Sequence, residues 1–473
     1  MAEEKTETSP SIEGEKKPQE PSTPTKNEQE DIKDNKDVED KKEVEENGEV
    51  EKPNENGDEK QAPEPKDMRA IVLNSFGGIK SVKALRKPEP TLAEGEVLIR
   101  VKACGLNFQD LMARRGAIDS PPKPPFIMGT ECAGEVEAIG EGVENFKVGD
   151  RVVALPDHKA WAELVAVPAT AVFKLPDNMN YLEAAALTMN YTVAHILLFD
   201  LACLTPGKSM LVHSAGGGVG QAIIQLAKTV KDVTIFGICG KAKHEELKAQ
   251  NTIDHLLERS GEYPSEIRKV VPEGLDIVLD CLYTEDYNKG YSLLKPMGKY
   301  ILYGSSNLVT GETRSFFSVA RSWWQVDKIS PMKLFDDNKT ISGFNLRHLL
   351  HQQGGHDVVK RAVDQVFKLW TDGCIKPKID STWALEDLPE AMQRMQEHKN
   401  IGKIILDTSL EPKPKPATPA KGKSKDKKAA NNHDEKKATG GESEENEKKK
   451  EPELTNGTSE DKSDSDSKEK ESS

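Results

Sequence analysis

One stretch of this sequence has residue types and a spacing that do chemistry: Met210-Leu-Val-His-Ser-Ala-Gly-Gly-Gly-Val-Gly220. In the register of a dinucleotide-binding GxGxxG turn, the key positions are Ala215, Gly217 and Gly220, with alanine in place of the first glycine. Gly217 lets the backbone approach a pyrophosphate and Gly220 lets a helix pack closely on the preceding strand. Gly218 and Val219 open that helix, whose first N–H groups and dipole face the phosphates. An apolar strand, SMLVHS, precedes the turn and a helical stretch, GGGVGQAIIQLAKTV, contains and follows it. That context separates the pattern from an ordinary glycine-rich turn.

The nucleotide is chosen about 20 residues further on, where an NAD-binding unit places an Asp or Glu against the ribose 2′-OH. Here the text is FGICGKAKH, residues 236–244, which has no carboxylate and offers Gly240, Lys241, Lys243 and His244. Ammonium groups suit a 2′-phosphate and an acid would repel it, so the expected cofactor is NADPH. A second phosphate pattern competes: Ala202-Cys-Leu-Thr-Pro-Gly-Lys208-Ser209 fits a relaxed Walker A sequence. That mechanism needs strand, loop, then helix, whereas here a helix precedes and a strand follows, which ranks an ATPase last.

The elements that position these residues read as two kinds. MRAIVLNSF, SVKALRK, GEVLIRVKACG, GEVEAIG, DRVVALP and WAELVAVPATAVFKLP are short strands of a β-rich unit. After the helical YLEAAALTMNYTVAHILLFDLA, strands SMLVHS, VTIFGIC, LDIVLDCL and GKYILYG alternate with helices, which predicts an α/β doubly wound parallel sheet. Two helices and a last strand, GKIILD, close the chain's folded part.

Composition bounds the function. The 473 residues carry 66 Lys+Arg against 80 Asp+Glu, a formal charge of -14. The first 67 residues hold 23 acidic and 11 basic side chains, so the body is nearly neutral and has no nucleic-acid footprint. Both tails lack Phe, Trp, Tyr and Cys, a composition that predicts disorder. Six scattered cysteines without a CxxC fit reduced thiols. The opening MAEEKTETSP has no signal-peptide core, and no window approaches 18 uncharged apolar residues. A cytoplasmic protein is expected, with any membrane contact peripheral.

Cys104-Gly-Leu-Asn-Phe-Gln-Asp-Leu-Met112, the SAGGGVGQA turn and GYSLLKPMGKYILYGSSN together resemble the quinone oxidoreductase branch of the medium-chain dehydrogenase/reductase superfamily, which includes the zinc-containing alcohol dehydrogenases. Over residues 68–407 the chain resembles more closely the vesicle amine transport protein homologues, grouped with oxidoreductases yet named as synaptic vesicle membrane proteins. Within them ILYGSSNLVTGETRSFFSVARSWWQ, residues 301–325, points to the homologue-like member or a near relative. The resemblance implies a GroES-like domain at 68–193, a Rossmann domain at 194–344 and a return to the first domain at 345–410, between tails at 1–67 and 411–473. It implies NADPH in the interdomain cleft and, as often in that family, a homodimer.

Zinc-dependent relatives place a ligating Cys where this chain has Asn107 and a His where it has Thr130, and their four-cysteine zinc loop has no counterpart, so no zinc is expected. The resemblance puts Asn107 near the nicotinamide ribose and Tyr303, Gly304 and Ser305 beside the ring. The chain departs from the family with Val193 at a threonine position, His195 for a tyrosine, Glu258 for the tyrosine near the adenosine phosphate, and Asp280-Cys-Leu-Tyr283 for glycines.

The expected reaction is hydride transfer from NADPH to a quinone or to the β-carbon of an α,β-unsaturated carbonyl, with Asn107, Tyr191 and a ribose hydroxyl as donors to the developing oxyanion. Asn107 serves equally as a turn cap, Tyr191 as an interdomain packing residue, and His213 reads as a core histidine. The alternative class is a peripheral vesicle or organelle protein that keeps the fold for regulation or assembly. Its charged tails would meet partners or be phosphorylated in Ser463-Asp-Ser-Asp-Ser467.

Overall fold

The computed structural model describes residues 66–283, 285–306 and 330–414. Residues 1–65 and 415–473 of the tails, with the serines of 463–467, and the 307–325 part of the 301–325 stretch lie outside them.

The β-rich part is organised by one long strand, Glu96–Leu106. It pairs antiparallel with Cys132–Ile139 along one edge, and along the other with Leu164–Pro168 at its start and Lys403–Asp407 at its end, where Ile404 faces Leu106. Ile379–Trp383 then adds in parallel to Lys403–Asp407. The last segment of the chain thus completes the first sheet. Two glycines are sterically fixed here: a Cβ on Gly134 would stand 2.1 Å from the carbonyl oxygen of Arg100, and one on Gly105 2.2 Å from Glu131 Oε2.

The α/β part is a six-stranded parallel sheet in the order His255–Glu258, Thr234–Cys239, Ser209–Val212, Leu275–Asp280, Leu294–Leu302, Thr340–Gly343. By position in the chain this is 3-2-1-4-5-6, the doubly wound Rossmann order. Its direction reverses between Ser209–Val212 and Leu275–Asp280, and ligands of such sheets bind outside the strand ends at that switch point. The four inner strands match the sequence expectation; the two edge strands are additional.

Between the sheets runs a helix whose apolar run, cut by Asp200, the sequence reading set aside as a spanning segment. Tyr181–His195 continues into the wider π-helical Ile196–Leu201, giving 21 residues with mean hydropathy 1.3. By length and composition this helix could cross a membrane, but 78% of its apolar window is buried inside the protein. It packs on Glu96–Leu106, on the helix Gly218–Ala227 and on His356–Thr371. Asp200, which interrupts the apolar run, lies at its outer end and takes Arg361 at 3.2 Å.

Candidate active site

The glycine turn closes on itself. Gly217 donates its N–H to Ser214 O at 2.7 Å, and Gln221 donates to Gly217 O at 2.9 Å. The amides of Gly218 and Val219 have no backbone acceptor among the described residues, as the first turn of a helix dictates. A Cβ on Gly220 would stand 2.4 Å from Ser214 O, so only glycine lets this helix sit so near its strand. Ala215 is tolerated in the first position because its methyl lies over Gly237 of the next strand, where a Cβ would approach it to 3.0 Å. Its N–H reaches Ile238 O and its carbonyl accepts from the buried Gln221 side chain, both at 2.9 Å.

The lysines divide. Lys241 and Gly240 are exposed at the turn after Thr234–Cys239, whereas Lys243 leans over the glycine turn, its Cδ 2.9 Å from where a Gly216 Cβ would be. Its ammonium donates to Asn400 O at 2.5 Å, and burial lowers its pKa. Arg259, missed in the sequence, follows the edge strand His255–Glu258. Its charge opposes the rise that burial gives the Cys239 and Cys281 thiols and adds to the lowering that burial gives Lys243 and His398. Glu258, the acid next to it, accepts the Ser260 hydroxyl at 2.6 Å.

Asn107 ends the strand Glu96–Leu106 and caps the helix Phe108–Arg114, with Asp110 accepting its backbone N–H at 2.8 Å. The amide belongs to a buried network. Lys403 Nζ donates to Asn107 Oδ1 and to Glu131 Oε2, each at 2.6 Å, and reaches Asn190 Oδ1 at 3.5 Å. Asn107 Nδ2 donates to Glu131 Oε2 at 3.2 Å, and Glu131 Oε1 accepts the Met189 N–H at 2.8 Å. Asn190 touches the cofactor turn, since a Cβ on Gly218 would lie 2.4 Å from its Nδ2. Behind Asn107, burial raises Asp110 to about 7, against the Asn107 hydrogen bond and the Lys403 charge that lower it.

The remaining expected residues fall on either side. Tyr191 is buried and its hydroxyl donates to Lys376 O at 3.2 Å, so it ties the central helix to the return segment; its neighbour Asn190 is the one that enters the network. Tyr303 extends from the end of Leu294–Leu302, with burial and the adjoining Cys281 pushing its hydroxyl well above the usual value. The Cys281 thiol in turn donates to His213 O at 4.0 Å, and burial raises its pKa. Gly304 and Ser305 follow alongside, a Gly304 Cβ falling 3.0 Å from Cys281 O. Asp280, standing at a family glycine, is wholly buried and accepts from the amides of Leu282 and Tyr283 and from the Tyr300 hydroxyl. A small cavity of mixed lining opens beside Thr130 and Met189, with Leu155 and Leu350 on its apolar side and Asp157, Arg347 and His351 on its polar side. No group of three or more His, Cys, Asp or Glu side chains converges among the described residues.

The candidate Walker residues are otherwise engaged: Lys208 Nζ pairs with Asp276 at 2.8 Å, and the Ser209 hydroxyl donates to the same carboxylate at 3.1 Å.

Comparison with known proteins agrees with this geometry. Residues 93–177 match the alcohol dehydrogenase GroES-like domain and residues 247–406 the zinc-binding dehydrogenase domain. The chain is 50% identical over 364 residues to the mouse (Mus musculus) synaptic vesicle membrane protein VAT-1 homolog-like, covering 77% of this chain and 87% of that one. The crystal structure of the human VAT-1 homolog-like protein superposes with a TM-score of 0.64 at 45% identity, covering 73% of this chain and 99% of that chain. A mycobacterial protein solved in complex with NADPH superposes with a TM-score of 0.63 at 25% identity, over 72% and 99%.

Proposed function

Because this chain belongs to the family of the synaptic vesicle membrane protein VAT-1 homologues, within the medium-chain dehydrogenase/reductase superfamily, we propose that it is a zinc-independent, NADPH-dependent reductase of quinones or α,β-unsaturated carbonyls. One observation carries the reading. The four-residue segment 400–403 ties both ends of the cleft together. Asn400 takes Lys243, Gly402 donates to Gly216 O at 3.0 Å, and Lys403 holds Asn107. A phosphate-binding turn and a buried amide donor therefore share one rigid support.

The fit to a nicotinamide dinucleotide rests on the open amides of Gly218 and Val219 at a helix N-terminus, which favour a pyrophosphate. Lys243 keeps two of its three donors beyond Asn400, and with Arg259 it presents positive charge where a 2′-phosphate would lie. When bound, the cofactor supplies the hydride. Asn107 Nδ2 then offers its second N–H to the ribose or the oxyanion.

Stopped-flow loss of NADPH absorbance with 9,10-phenanthrenequinone, 1,4-naphthoquinone and an alkyl enone tests the proposal. Oxidation that depends on one of these and survives a zinc chelator supports it; NADPH binding without oxidation by any of them refutes it. That outcome would favour a second reading, drawn from the names of the relatives and the charged tails, in which the fold serves assembly at vesicle or organelle membranes.

A further inference from the structure

We propose that Lys403 and Glu131 are positioning residues that dictate which end of the Asn107 amide faces the cleft. Three features of the network carry this. The first is charge on both sides of one amide. An ammonium only donates and a carboxylate only accepts, so Lys403 selects Asn107 Oδ1 and Glu131 selects Nδ2. Flipping the amide would set its N–H groups against the ammonium and its oxygen against the carboxylate.

The second feature is saturation. Lys403 has three donors and three oxygen acceptors, on Asn107, Glu131 and Asn190. Glu131 uses one oxygen on the Met189 N–H and the other on Lys403 and Asn107. Neither group is left to exchange a proton with a substrate, so they act through Asn107, whose second Nδ2–H is the donor the network leaves over. The third feature is burial. The Lys403 and Glu131 side chains are 3% and 0% exposed, so the pair is not screened by water. The backbone makes room for it: Gly105 is the residue whose side chain would strike both partners, at 2.2 Å from Glu131 Oε2 and 2.8 Å from Lys403 Cε.

The inference rests on the reductase reading for its kinetic consequence, but not for its structural one, and the test separates the two. Single removal of either charge leaves the other buried alone and endangers folding, so the main variant is the double Lys403→Met/Glu131→Gln, with thermal unfolding as the check of fold. The side-chain amide of Asn107 is followed by 15N–1H NMR on the full chain, assigned by its loss in Asn107→Ala. In the wild type one amide pair in a single environment is expected; in the double variant that pair shifts and broadens or splits. An unchanged pair in a folded double variant overturns the proposal, whatever the activity.

Kinetically, the double variant should bind NADPH within about threefold of wild type while kcat falls by about 100-fold, the scale of one lost oxyanion donor. Asn107→Ala should then add little in that background. Equal losses from Asn107→Ala in both backgrounds would make the effects independent and overturn the positioning role. If the wild type itself turns over no quinone or enone, the reductase reading fails and the NMR result alone decides the inference.

Discussion

Lys403 and Asn107 lie 296 residues apart in the chain and meet in a hydrogen bond of 2.6 Å from ammonium to amide oxygen. The contact exists because the last strand of the chain returns to pair with Glu96–Leu106, bringing Lys403 against the residue that ends that strand. One residue before Lys403, Gly402 of the same segment presses on Gly216 and Gly217 of the glycine turn. The fold therefore couples the amide and the turn through the backbone of one short stretch.

Gly220→Ala should be among the most damaging small changes. The new methyl would meet the backbone of Ser214 at 2.4 Å and of Ala215 at 2.9 Å, so the helix must move off its strand. A stability loss of about 1–3 kcal/mol is expected from the overpacking, with NADPH affinity reduced. Gly240→Ala is the control: nothing lies within 4 Å of that position and its φ is -71°. Urea unfolding of the two variants checks the contrast, and equal stabilities would contradict it.

Much of this was legible in the sequence, for stateable reasons. Ser209–Val212 and Leu275–Asp280 are buried along their whole length, so Met210–Val212 and Ile277–Leu279 read as unbroken apolar runs. His255–Glu258 and Thr340–Gly343 are sheet edges, short and half-exposed, and their polar residues masked the period. The glycine turn was readable because its chemistry needs fixed local spacing. The Lys403–Glu131 pair was not, since its members are 272 residues apart and burial of a charge leaves no local trace. The one signal was Lys403 itself, a charge opening the otherwise apolar run Ile404, Ile405, Leu406. Tyr191 was read as a possible donor from its place on the central helix, but the segment carrying Lys376 supplies its partner.

Asp110 makes stability depend on pH with a definite sign. Burial raises its folded value to about 7, above the unfolded value of about 3.9, so folding takes up a proton between them. Its contribution is best below about pH 4, weakens as pH rises to about 7 and is constant above. The stability difference of wild type minus Asp110→Asn should therefore fall across that window, by at most about 1.4 kcal/mol per pH unit. Urea melts at four pH values from 4 to 8.5 test it, and a flat difference contradicts it.

Asp276 behaves in the opposite sense. Burial would raise it, but hydrogen bonds from Lys208 and Ser209 together with Lys295 hold it at about 2. Its stabilisation is complete above the unfolded value of about 3.9 and is lost as pH falls through about 2. Lys208→Ala should lower Tm at neutral pH, with a deficit that shrinks on acidification, and should leave ATP binding as absent as in the wild type. An ATP signal that depends on Lys208 would restore the phosphate motif set aside above.

The central claim is that the cleft binds NADPH, and calorimetric titration of the full chain with NADPH, NADH and ATP tests it most directly, with Lys241→Ala/Lys243→Ala alongside. Binding of NADPH in clear preference to NADH is expected, weakened by about tenfold or more in the double variant as a charge-assisted contact of about 1.4 kcal/mol or more is lost. NADH should be little affected by the same change. Silence with both nicotinamide nucleotides, or equal affinity for the two that ignores both lysines, would contradict the account.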